Sequence, residues 1–134
     1  MSAASEAGAG VILVVDDSEL MAELIAGTLE DEGHTVVVAT CGEAALDLAR
    51  QHRLDVAVCD LNMPGLDGLE VMRRLAALDA AVPVIMLTGD GEPGTVLQIV
   101  QRGAFAFVQK TGDLTPLVEA VARALTLRRA TPPA

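Results

Sequence analysis

The sequence predicts an α/β domain, a single parallel β-sheet with helices on both faces. Two observations predict it. Four short apolar runs each stop on a polar group: Val11-Ile12-Leu13-Val14-Val15 before Asp16-Asp17, Val56-Ala57-Val58-Cys59 before Asp60, Val84-Ile85-Met86-Leu87 before Thr88, and Phe105-Ala106-Phe107-Val108-Gln109 before Lys110. Runs of this kind suit strands buried on both faces, as in parallel sheets. Between them lie segments with helical spacing of apolar residues, so strand and helix alternate through five units, the pattern of α/β layering.

Residues 1–10, rich in Ala, Gly and Ser, read as a flexible tail. The first strand, 11–15, leads into a helix capped by Ser18 or Asp17, with apolar Leu20, Met21, Leu24, Ile25 and Leu29 and a stop at Gly33. Residues 34–39 form a Val-rich second strand. A helix over about 42–52 follows, with Ala45, Leu48 and Ala49 on its inner face. The third strand, 55–59, opens into a turn-rich loop, 60–67, containing Met63-Pro64-Gly65. The next helix, 68–78, turns Leu69, Met72, Leu75 and Ala76 inward. Pro83 opens the fourth strand, which ends at Leu87. After Gly89-Asp90-Gly91, a helix starts near Pro93 with only Val96, Leu97 and Val100 as apolar positions, which makes it the most weakly held. Gly103 ends it. The fifth strand covers 105–109, and the last helix runs from Asp113 to about Leu127. It buries Leu114, Leu117, Val118, Val121 and Leu125, with Arg128-Arg129 at its negative dipole end. The folded unit is thus expected over 11–128, with 129–134 a tail or linker stub.

A chain of 134 residues is one domain, able to bury about two-thirds of its unfolded surface. Its 51% hydrophobic content excludes general disorder. No apolar stretch approaches the roughly 20 residues of a membrane span, and the N-terminus lacks the basic and apolar regions of a secretory signal. A net charge of −10 argues against nucleic-acid binding by this domain. Cys41 and Cys59 lack metal-type spacing, and Cys59 suits a small buried filler; a reduced, cytoplasmic setting fits both.

The carboxyl ends of parallel strands line the crevice where such sheets bind ligands. The topology would therefore gather Asp16, Asp17, Asp60, Thr88 and Lys110. Asp16-Asp17 has two readings, a helix N-cap or a pair of ligands to a cation. Asp60 is either a turn residue or a carboxylate sharing that cation. Oxygen-only donors suit Mg²⁺, which favours sites completed by phosphate oxygens. A carboxylate can also attack phosphorus, with Lys110 and Thr88 facing the charge of the transferring group. His34 and His52 fall away from this crevice and are assigned no chemistry.

In order and spacing, Val-Val-Asp16-Asp17-Ser, Cys-Asp60-Leu-Asn-Met-Pro64-Gly-Leu-Asp-Gly68, Met-Leu-Thr88-Gly and Gly103-Ala104…Phe107-Val-Gln-Lys110 resemble the receiver domain of bacterial two-component response regulators. The resemblance covers roughly residues 11–127. It implies a flavodoxin-like, doubly wound sheet of strand order 2-1-3-4-5. Asp60 would be the phosphoacceptor, taking its group from a phosphohistidine on a histidine kinase or phosphotransfer protein. Asp17, Asp60 and the Asn62 backbone carbonyl would hold Mg²⁺ directly, and Asp16 mostly through water. Thr88 and Lys110 would contact the phosphoryl oxygens, and Phe107 would be the switch aromatic coupled to Thr88. The surface of the fourth helix, fifth strand and fifth helix would then change its preference for a downstream target or a fused output domain. Such a domain is a signalling phosphoacceptor, not an enzyme acting on other substrates, and binds neither nucleic acid nor membrane.

The sequence departs from the family pattern at three places. Thr111 stands where the family usually has a cis proline after the lysine, and Phe107 replaces the commoner Tyr. Phe105 occupies a usually polar position, as a covered edge-strand side chain or an exposed anchor. In the family, the side chains at the places of Asn62 and Asp90 influence dephosphorylation rate. Two other functions compete. One is a Mg²⁺-dependent phosphohydrolase forming an aspartyl phosphate, but Asn62 stands where its second acid would be. The other is an unphosphorylated interaction module, which has no reason to keep a repulsive carboxylate cluster.

Overall fold

The computed structural model describes residues 10–63, 65–89, 93–110 and 112–130, the side chains of 93–96 excepted. Its elements are β1 (Val11–Val15), α1 (Glu19–Asp31), β2 (Thr35–Ala39), α2 (Gly42–Gln51), β3 (Val56–Asp60), α3 (Gly68–Leu78), β4 (Val84–Thr88), α4 (Pro93–Gln101), β5 (Ala106–Gln109) and α5 (Thr115–Ala130). The strands pair in parallel in the order β2-β1-β3-β4-β5. This is the doubly wound sheet expected from the sequence, with strand edges shifted by one residue. Asp60 and Thr88 are the last residues of β3 and β4 rather than the first loop residues beyond them.

Alternation along the strands divides the core into two layers. Ile12, Val14, Val56, Val58, Ile85 and Leu87 pack against Ile25 and Leu29 of α1 and Leu117, Val121 and Leu125 of α5. Leu13, Val15, Ala57, Cys59, Val84 and Met86 face Ala45 and Leu46 of α2, Val71, Met72 and Leu75 of α3, and Ile99 of α4. All of these residues are buried. Gly33 and Gly103 hold positive φ angles of 96° and 97° just past α1 and α4, the left-handed stop expected of glycine at a helix end.

Several helix faces differ from expectation. Leu20 and Leu24 are 79% and 55% exposed, and α1 instead buries Ala22, Ile25, Ala26 and Leu29. The small alanines let the helix close on the sheet, and the i, i+3, i+4, i+7 stripe they complete turns the leucine edge outward. On α3, Ala76 is exposed and Val71 is buried. On α4, Leu97 and Val100 are exposed, and Ile99 is the residue that reaches the core. Phe105 packs against the layer shared by α1 and α5, so it is a covered side chain.

The last helix begins at Thr115, two residues later than expected, because the Asp113 carboxylate accepts the Thr115 N–H at 2.9 Å outside the helix. It then continues through Ala130, past the expected domain edge at 128. Gly10 is tied to the fold at the other end, its carbonyl accepting the Thr35 N–H at 2.9 Å. Arg128 does not sit at an exposed dipole end. It falls on the buried stripe that starts at Leu117, is 5% exposed, and reaches Asp79 past the end of α3 (Nη2–Oδ2 2.8 Å). Burial raises the Asp79 carboxyl. The Ala81 N–H and the Arg128 guanidinium outweigh that effect and hold it below its ordinary range.

Removing one partner of this pair is unequal in cost. Asp79→Ala strands a buried guanidinium and should lose about 2 kcal/mol in urea unfolding. Arg128→Met keeps the packing, leaves a carboxylate that water reaches, and should lose about 1 kcal/mol or less. The folded pKa of Asp79 is depressed, so the unfolded chain binds its proton first. The pair's contribution is therefore present above the ordinary carboxylate pKa of about 4 and is lost as pH falls through the folded value. The urea-midpoint gap between wild type and Asp79→Asn should be full at neutral pH and shrink in acid; a gap independent of pH would refute this role for the carboxylate.

Candidate functional site

The site lies at the carboxyl end of the sheet, where neighbouring strands finish on polar residues because the apolar run in each has ended. Ser18 caps α1, its hydroxyl oxygen accepting the Met21 N–H at 3.2 Å. That settles the capping alternative, since Asp17 is not the cap and stands exposed beside the site. Asp16 is wholly buried, its N–H bonded to the Ala39 carbonyl at 3.1 Å and its Oδ1 accepting the Ser18 N–H at 2.9 Å. Asp60 is 3% exposed, and its Oδ1 accepts the Asn62 N–H at 3.2 Å.

One ligand oxygen from each of Asp16, Asp17 and Asp60 lies within 4.8 Å of the others. Lys110 faces them, its Nζ 2.8 Å from Asp16 Oδ2 and 3.0 Å from Asp60 Oδ2. Thr88 is wholly buried at the end of β4, and its carbonyl accepts the Lys110 N–H at 2.7 Å. Five expected residues are thus brought together from the ends of β1, β3 and β4 and from just past β5. Phe107 is set apart. It lies on the edge strand, 39% exposed, against a cavity of about 390 Å³ lined also by Pro116, Glu119 and Arg123. Pro64, Asp90 and the Lys110–Thr111 bond lie outside the described residues.

Electrostatics sets the state of the cluster. Burial pushes the Asp60 carboxyl up, more than the Lys110 ammonium pulls it down, and Asp16 adds to the rise. For Lys110, burial lowers the ammonium, but bonds to Asp16 and Asp60 prevail and raise it. Burial likewise raises the Cys59 thiol far out of the nucleophilic range, so this residue is a filler. Three carboxylates against one ammonium leave two negative charges, the charge of one divalent cation. Asp16 Oδ2 is buried with the Lys110 ammonium 2.8 Å away, and that single contact leaves it a lone pair for a cation or water. Hard oxygen donors that carry this uncompensated charge fit Mg²⁺.

Residues 12–122 match the response regulator receiver domain family. The chain belongs to that family. Three bacterial relatives show the range of the likeness. Sporulation initiation phosphotransferase F of Bacillus subtilis is 31% identical over 117 residues, covering 87% of this chain and 94% of that protein. Response regulator UvrY of Escherichia coli is 38% identical over 112 residues, 82% of this chain and 51% of the relative. The C4-dicarboxylate transport transcriptional regulatory protein DctD of Pseudomonas aeruginosa is 36% identical over 127 residues, 88% of this chain but 26% of DctD. Chemotaxis protein CheY4 of Vibrio cholerae superposes with a TM-score of 0.81 at 30% identity, covering 87% of this chain and 98% of the other. The regulator TrrA of Thermotoga maritima, solved in complex with Mg²⁺ and BeF, gives 0.78 at 31%, covering 87% and 99%. The chain is therefore a receiver domain of the two-component response regulator type, and such domains are signalling phosphoacceptors.

Sequence reasoning passed over one residue here. Gly68 enters the sequence reading as a helix start and as the end of the family motif, without a role of its own, yet a Cβ there would strike the Asp60 carbonyl oxygen and Leu61 Cα. The signal available was a glycine at the first position of a helix, eight residues after the acid.

Because ionised Asp60 is held in a buried, repulsive setting, Asp60→Asn should raise the thermal midpoint of the metal-free protein by about 3 °C. Added Mg²⁺ should stabilise wild type more than the variant and close that gap. Calorimetry with and without chelator checks both; a variant less stable than wild type without metal would contradict the repulsion.

Proposed function

We propose that this receiver domain takes a phosphoryl group onto Asp60 from a phosphohistidine on a histidine kinase or phosphotransfer protein, in a Mg²⁺-dependent reaction. The observation that carries this reading is the cluster of three carboxylates facing Lys110 at the ends of separate strands. Asp17, Asp60 and the Asn62 carbonyl would hold the ion, with Asp16 mostly through water. When bound, Mg²⁺ supplies positive charge to the oxygens of the transferring group and offsets the excess carboxylates.

The rest is the work of the chain. Asp60 offers a carboxylate oxygen as nucleophile; a bond forms from it to phosphorus, and the bond from phosphorus to the donor imidazole nitrogen breaks. Lys110, already fixed by Asp16, supplies an ammonium to a phosphoryl oxygen in place of its contact with Asp60. The Thr88 hydroxyl supplies a second donor. In taking up these contacts, Thr88 and the Phe107 ring would shift the surface of α4, β5 and α5 and so its preference for a downstream partner or fused output domain. Leu97, Val100 and Phe107 give that surface exposed apolar side chains, a suitable place for docking.

On this reading the chain promotes only its own phosphorylation and dephosphorylation and turns over no other substrate. It works in the cytoplasm, in keeping with free Cys41 and Cys59 and with no helix among the described residues long and apolar enough to cross a membrane.

Acetyl phosphate with Mg²⁺ should add one phosphoryl group by mass spectrometry. Asp60→Asn or a chelator should abolish the gain, and Thr88→Ala or Lys110→Gln should slow it by roughly one to two orders of magnitude. Phosphorylated histidine donor should be consumed, and generic phosphate esters should not be turned over. Catalytic ester hydrolysis, or no phosphoryl gain at all, would overturn the reading.

A further inference from the structure

We infer that Gly68 is a positioning residue for the phosphoacceptor: its missing side chain sets where the Asp60 carboxylate and the Asn62 backbone stand. This rests on the reading of Asp60 just given. A Cβ built on Gly68 is driven into the Asp60 carbonyl oxygen, well inside contact distance, and stands 2.8 Å from both Leu61 Cα and Met86 Cε. The Met86 methyl can move aside. The two backbone atoms cannot move without taking the site with them.

The seam is backbone against backbone on both sides. The Gly68 N–H donates to the Leu61 carbonyl at 3.1 Å, and the Cys59 thiol lies 3.6 Å from the Asp60 carbonyl and 4.0 Å from that of Gly68. The loop between Asp60 and α3 is therefore closed by a direct bond between its two ends. The carbonyl that a side chain would strike shares one planar peptide unit with the Leu61 N–H, which holds the chain to β4 through the Leu87 carbonyl at 2.8 Å. Tilting that plane to relieve the clash pulls the Leu61 N–H off Leu87 and turns the Asp60 residue it belongs to. The next peptide N–H along, that of Asn62, is the one bonded to Asp60 Oδ1. The opposite escape, lifting α3 away, would draw Val71, Met72 and Leu75 out of the core. A methyl group needs about 1 Å of relief, and the loop end yields it more cheaply than three buried apolar side chains.

The test compares Gly68→Ala with Leu75→Ala, which weakens the packing of α3 without touching the seam. In metal-free protein, hydrogen exchange should show the Leu61 amide losing protection, relative to global stability, in Gly68→Ala alone. With acetyl phosphate at saturating Mg²⁺, the phosphorylation rate per folded molecule should fall roughly 10- to 100-fold in Gly68→Ala, and affinity for Mg²⁺ by calorimetry should fall with it. Leu75→Ala should lower the thermal midpoint while keeping both. If Gly68→Ala is too unstable to assay, the same measurements in trimethylamine N-oxide restore the compact state without altering the seam. Equal rate, Mg²⁺ affinity and Leu61 protection in the two variants would overturn the positioning role. Wild-type protein that gains no phosphoryl group would instead sink the underlying assignment of Asp60.

Discussion

The ammonium of Lys110, lodged between the buried carboxylates of Asp16 and Asp60, is the contact on which the site depends. Without it, two of three clustered acids would face each other across a few ångströms in a poorly solvated place, an arrangement that drives proton uptake or local opening. With it, the cluster holds in an intermediate condition, compensated enough to fold and still short of two positive charges. That residual deficit suits the end of the sheet to a divalent cation.

The parallel sheet makes this arrangement attainable. Its buried strands run out of apolar sequence at a common level, and register carries the consequence across. Val15 pairs with Cys59, Cys59 with Met86 and Thr88 with Gln109, so the polar residues that follow or end these strands share one rim. Lys110 is tied to that rim through its backbone as well, by its N–H on the Thr88 carbonyl. The lysine is thus aimed by strand pairing before its side chain makes any ion pair.

This explains which parts of the molecule were legible in the sequence. Strand identity, the parallel sheet and the gathering of Asp16, Asp17, Asp60, Thr88 and Lys110 follow from runs whose composition has one structural meaning. Helix faces were less legible, because a helix with apolar residues on two adjoining edges can present either. In α1 the choice fell to Ala22 and Ala26, whose small size permits close approach and turns Leu20 and Leu24 outward. Arg128 was hidden for a related reason. Charge suggested a dipole-end residue, whereas its place on the stripe beginning at Leu117 commits it to the interior, where Asp79, distant in sequence, balances it. Gly68 stood in the motif, but its role was hidden because its contribution is an absence of atoms, detectable only when the backbone of Asp60 is seen against it.

The same distribution of packing indicates where a signal can travel. Helices α1, α3 and α5 each bury three or more apolar side chains against the sheet, and α5 is further tied to the chain beyond α3 by Arg128. Among the described side chains of α4, only Ile99 is buried, and the helix begins five positions after Thr88. Conformational change is cheapest where least apolar surface must be exposed. On the proposed reading, a new contact made by Thr88 at the rim would be felt first in α4 and the neighbouring β5 edge, with the exposed side of α5 completing the surface they form. On that reading the work of binding charge at one end of the sheet is spent where the least apolar packing opposes it, while the buried layer under α1 and α5 holds the strands that carry the acid cluster.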